Sequence, residues 1–147
     1  MKFLAGLCFL ALSFSAMARE RVSFFYSGVE GWGNSYYACD YVQDQTERVL
    51  EMFGATEVMV YCTGGIDMNR FPSPVSVQAY FELPVLNGSE IPQTVKFVGD
   101  SLSPNCGLNT TIVRSLLPKF TNVKVVKKSD ACAFYSSNFS YEFLVTK

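Results

Sequence analysis

The chain has 147 residues, 49% of them hydrophobic and 15% aromatic, enough to bury one core and too few for two ordinary enzyme domains. Lys and Arg number 12 against 13 Asp and Glu, and the net charge of -1 comes without any basic block of the kind that binds nucleic acid or anchors to a membrane surface. Histidine is absent, which removes the commonest general base and the commonest metal ligand; no cofactor motif and no metal site is expected.

Residues 1–18 read as a signal peptide. Lys2 precedes an apolar run from Phe3 to Phe14, and Ala16 and Ala18 fit a small-residue cleavage site before Arg19. The run is shorter than the roughly 20 residues a spanning helix needs. Cys8 lies inside it after Leu7, which is not the setting of a lipid-modified cysteine. The mature chain, 19–147, has no apolar run of membrane length, so an exported product is expected, periplasmic or secreted, with no membrane insertion.

Four cysteines then remain: Cys39, Cys62, Cys106 and Cys132. An even number in an exported chain reads as a disulfide framework, and the lack of any C-x2-C spacing argues against a metal or redox pair.

Taken in order, Val22, Phe24 and Tyr26 alternate as a first strand. A helix is expected over 36–53, with Ser35 as its cap, Val42, Val49, Leu50 and Phe53 on its apolar face, and Gly54 as its stop. Val58 to Cys62 is β-rich, and Val75, Val77, Ala79, Phe81 and Leu83 alternate strongly with polar neighbours. After the polar link 87–93, Val95 and Phe97 open a second series. It continues with a helix over 104–117 (Ser103 cap, Pro104 in the first turn, Pro118 as the stop), the strand Val123 to Val126, and a last strand through Phe139, Tyr141, Phe143 and Val145. Cys39 and Cys106 both open the pattern C-x9-[VL]-L-x2-F, matching Val49, Leu50 and Phe53 to Leu116, Leu117 and Phe120.

The order is β-α-β-β twice, over about 21–86 and 94–147. It predicts one α+β domain of tandem repeats: a two-layer sandwich of ferredoxin-like character, with both helices on one face of a mostly antiparallel sheet. In each unit the start of the helix and the end of the following strand share an edge, which pairs Cys39 with Cys62 and Cys106 with Cys132.

That edge also carries the informative connections. Residues 27–35 hold Gly28, Gly31 and Gly33 around the single Trp32, while 63–74 is long for a hairpin loop and contains Asp67, Arg70 and Phe71. Trp32, Asp67, Arg70 and Phe71 are the expected binding residues, with the outer sheet face around Tyr80 and Leu144 as the other place to look. No catalytic residue is expected. The functional expectation is a small non-catalytic binding or interaction module for an unknown protein, peptide or glycan. The alternative is an envelope hydrolase or transferase using Asp40 with Asp44, or Glu47 with Glu51, each a helical turn apart. Asn87-Gly-Ser89, Asn109-Thr-Thr111 and Asn138-Phe-Ser140 fit glycosylation sequons.

Overall fold

A computed structural model describes residues 19–30, 33–68, 70–99, 105–132 and 139–147. Ser103, Pro104, Trp32, Asn138 and the signal peptide fall outside them. The elements are β1 (Glu20–Tyr26), a short hairpin of β2 (Val29–Glu30) and β3 (Gly33–Asn34), α1 (Cys39–Met52), β4 (Thr56–Asp67), β5 (Arg70–Glu82), β6 (Gln93–Val98), α2 (Cys106–Leu116), β7 (Val123–Ser129) and β8 (Ser140–Val145). A single 3-10 turn, Leu117–Lys119, follows α2.

The strands divide between two three-stranded antiparallel sheets, β1-β5-β4 and β6-β8-β7, where alternation alone predicts one sheet. In each, the last strand of the unit lies in the middle, so the first two run parallel on either side and the helix makes the crossover between them. Among the described residues no ladder joins the two sheets; side chains join them instead. The Phe53 ring meets Phe120 and Phe143 edge-on at 5.1 and 5.0 Å, and Phe81 stacks on Phe120 at 5.4 Å. The buried Asn122 amide donates to the Phe53 carbonyl, at the end of α1, and to Thr146. One core therefore runs through both halves.

The alternating strands bury the residues that periodicity selects: Val22, Phe24 and Tyr26 in β1, Val75, Val77, Ala79 and Phe81 in β5, and Tyr141, Phe143 and Val145 in β8. Phe139, just before β8, is buried with them. In α1 the buried stripe is Val42, Thr46, Val49 and Leu50, and the Thr46 hydroxyl is satisfied by the Val42 carbonyl at 2.7 Å. The helix ends in a Schellman motif: Gly54 N–H donates to Glu51 O, and Ala55 N–H to Leu50 O, with Gly54 at φ +90°.

Both helices start later than their sequence patterns predict. Residues 35–38 are not helical, because the Tyr37 carbonyl accepts the Ile66 N–H at 3.0 Å, and Ala38 is the N-cap in extended geometry. Ser35 closes the preceding loop, donating its N–H to Gly28 O, and does not cap the helix. α2 begins after Asn105, and Pro118 sits in the 3-10 turn that tightens its exit.

Disulfides join Cys39 to Cys62 and Cys106 to Cys132. Each ties the first residue of a helix to its own half, at β4 for the first and just past β7 for the second. The pairing stays within the halves.

Candidate functional site

The segment 63–74, which its length and composition mark as a loop, is a continuation of the β4–β5 hairpin. Pairing runs on through Gly64 with Val75 and Gly65 with Ser73 to Asp67 with Arg70, which leaves only residues 68 and 69 as the connection. Two features disguise this in the sequence. Gly64 and Gly65, at φ +90° and +83°, occupy register shifts that bend the ladder, and Pro74, which can donate no ladder hydrogen bond, falls at the first shift. A side chain at Gly65 would run into the Tyr37 carbonyl, so that glycine also permits the close approach that fixes the arm against the chain entering α1.

The hairpin passes the buried Val75 and carries its tip beyond the core. From Cys62 to Asp67 an extended strand covers roughly 15 Å. At the tip Met68 is 100% exposed and Phe71 94%, with Ile66 exposed beside them. Asp67 and Arg70 stand opposite each other across the turn. Of the expected binding residues, Asp67, Arg70 and Phe71 are brought together by the hairpin itself, and Trp32 lies outside the described residues. Met68 and Ile66 belong to the same surface. Sequence reasoning passed over them because exposed apolar residues are recognisable only once the strand boundaries are known.

Other exposed apolar side chains cluster at the same end of the first sheet. Phe25 ends β1 on the outer face, in the row of Ser76 and Thr63, and Tyr61 lies in the next row opposite Gln78. Tyr80 on this face meets Tyr61 edge-on at 6.1 Å and lies under the Arg21 guanidinium at 5.8 Å. At the base of the arm Tyr26, Tyr37 and Tyr41 form a ring series with centroid spacings of 5.8 and 5.6 Å, and the Tyr41 hydroxyl accepts from Asn105 at 2.6 Å. This packing holds the entry of α1, and with it the arm, against the second half.

The carboxylates of the enzymatic alternative are arranged otherwise. Asp40, Asp44, Glu47 and Glu51 fall within about 60° of one another on the α1 surface opposite its buried stripe, and all but the half-buried Glu47 are exposed. They line a largely solvent-exposed helix face. Among the described residues no three His, Cys, Asp or Glu side chains are grouped to hold a metal ion.

One polar cluster gathers around the buried Tyr141, with its two cations in solvent. The Asp130 carboxylate accepts the Tyr141 hydroxyl at 2.6 Å and Arg114 at 3.1 Å, with the Lys128 ammonium at 3.6 Å. The Tyr141 hydrogen bond, followed by Arg114, holds Asp130 below the usual carboxylate range against the opposing effect of burial. Burial first, then Asp130, pushes Tyr141 up to about 12. Lying two residues before Cys132, the cluster pins the end of β7 to β8 and to α2.

No helix among the described residues is long and apolar enough to cross a membrane. Comparison with known proteins finds no matching family model, no similar curated protein and no similar solved structure.

Proposed function

We propose that this protein is an exported, non-catalytic binding module that recognises its partner with the tip of the β4–β5 arm. The observation that carries this reading is the pair Met68 and Phe71, almost wholly in solvent at the end of a hydrogen-bonded hairpin whose base is fastened to α1 by the Cys39–Cys62 bridge and the Ile66–Tyr37 hydrogen bond. Exposed apolar side chains cost a monomer solubility and add nothing to its core, and rigid presentation lowers the entropy lost on binding. On the same reading Asp67 and Arg70, opposite each other in the hairpin register, contribute polar groups to recognition, and Trp32 is a further anchor. The partner class is a protein, peptide or glycan, and the compartment is the periplasm or the exterior, where both disulfides persist.

The ferredoxin-like, tandem-repeat reading of the architecture belongs here too. It is supported by the shared strand order of the two sheets, by one bridge in each half and by the common C-x9-[VL]-L-x2-F pattern. On that reading the long β4–β5 arm is the departure of the first unit from the second.

The test is a partner capture from the native compartment with wild type, Phe71→Ala, Met68→Ala and Arg70→Ala as baits. The expected result is loss of the captured species with the tip variants at unchanged melting temperature. Undiminished capture by Phe71→Ala and Met68→Ala together would move the site off the arm.

A further inference from the structure

Charge is divided between the halves in a way the near-zero total conceals. Residues 19–90 carry four Arg and no Lys against ten Asp and Glu, and residues 91–147 carry seven Lys and Arg against three Asp and Glu. The excess positive charge gathers on β7, the outer strand of the second sheet. Its sequence Val-Lys-Val-Val-Lys-Lys-Ser has every residue from Lys124 to Ser129 exposed, and among the described residues no strand pairs with its far side. Lys124 stands in the row of Leu144 and Thr94, and Lys127 in the row of Glu142 and Lys96, so one face of the sheet presents three lysines around a single carboxylate. That carboxylate is shared with Lys96 at 3.8 Å, while Lys124 and Lys127 make no ion pair among the described residues.

We infer that β7 is a second interaction surface, which accepts an extended acidic peptide segment as an added strand. An outer strand turns the N–H and C=O of alternate residues away from its sheet, and these are groups that an incoming chain satisfies in register. The lysines settle which chain. Two copies of β7 placed edge to edge set like charges against each other, so the strand opposes pairing with itself. A segment with Asp or Glu at alternate positions meets Lys124 and Lys127 on one face of the extended sheet, and its apolar alternates meet Val125. The bulge at Val126 divides the strand into two short ladders, which suits a short segment better than a long one.

The experiment titrates the full oxidised protein with an eight-residue peptide alternating Glu and Val, followed by backbone amide NMR. Saturable shifts confined to Lys124–Ser129 and the facing β8 residues are expected. The apparent affinity should fall at least about tenfold in Lys124→Glu/Lys127→Glu and on raising the salt concentration. A peptide of the same sequence with alternate amides N-methylated keeps the charge and loses the strand hydrogen bonds, so it should not bind. Equal binding of the methylated peptide would reduce the effect to charge attraction and overturn strand addition, whatever the variants do. Binding to anionic phospholipid vesicles without binding to the peptide, or shifts that map to the β4–β5 arm, would overturn it as well. Because these lysines lie on a different sheet from the arm, failure here leaves the arm-based function standing.

Discussion

Tyr141 is buried with its hydroxyl committed to Asp130, and burial together with that contact gives stability a dependence on pH at both ends of the scale. Asp130 has a lowered carboxyl pKa in the fold, so its contribution is present above the ordinary carboxylate range and is lost as pH falls through the lowered value. Tyr141 has a raised one, so its contribution is complete below about pH 10 and is lost as pH rises toward about 12. Tyr141→Phe should cost about 1.5–3 kcal/mol near neutrality, the range for a hydrogen bond to a charged group. It should also flatten the alkaline limb between pH 10 and 12, and the acid limb should become shallower while Arg114 still faces Asp130. Denaturant unfolding at a series of pH values checks all three. Asn109 presents a different case at the same scale. Both side-chain polar atoms are fully buried in α2 without a partner among the described residues, whereas Asn87 is exposed in the 87–90 turn, where the Glu90 carboxylate accepts the Asn87 and Gly88 N–H groups. Material secreted through a glycosylating pathway and recovered folded should therefore carry no glycan at Asn109, because a sugar there would displace the core; glycopeptide mapping of Asn87 and Asn109 decides it.

Among the elements, the two helices end alike in sequence and differently in structure. Phe53 and Phe120, the last residues of the shared pattern, are both buried and touch each other, so Phe53→Ala and Phe120→Ala should each cost about 3–5 kcal/mol, with the double variant falling short of their sum. Leu50 and Leu117 are also matched by the pattern, yet Leu50 is fully buried and Leu117 only half, since the 3-10 turn at Pro118 rotates it outward. Leu50→Ala should fall in the 2–5 kcal/mol range and Leu117→Ala below about 1.5, as measured by chemical denaturation. The strands were legible in the sequence because a face buried against a core leaves a period of two, clear in Val75 to Phe81. The start of α1 was not, because it depends on a hydrogen bond donated to the Tyr37 carbonyl by the Ile66 N–H, 29 positions away. The arm was hidden for the opposite reason. Its glycines and prolines carry the local chemistry of a loop, and only the pairing of Asp67 with Arg70 shows them to be bends in a ladder. Asp67, Arg70 and Phe71 are marked in the sequence by the length of the segment, whereas the exposure of Met68 follows only from the fold.

At the scale of the whole molecule, two small sheets that share no ladder among the described residues are made into one unit by a common core and by one covalent tie in each half. The bridges close loops of similar length, with separations of 23 and 26 residues, so the chain-entropy contribution is about 3.5 kcal/mol for each. Replacing both cysteines of either pair with Ala should lower global stability by nearly equal amounts, and unfolding should remain a single transition because Phe53, Phe81, Phe120 and Phe143 belong to both halves at once. The local consequences should differ. Cys39–Cys62 joins the start of α1 to β4 just before the arm begins, next to the Ile66 N–H held by Tyr37, whereas Cys106–Cys132 joins the start of α2 to the segment after β7. Hydrogen exchange read under native conditions should show the Ile66 amide losing protection in Cys39→Ala/Cys62→Ala by more than the global loss of stability accounts for. In Cys106→Ala/Cys132→Ala the same amide should slow or quicken only with the global change. If Ile66 responds equally to both pairs, the arm is fastened by the core alone, and the first bridge adds nothing to how it is presented.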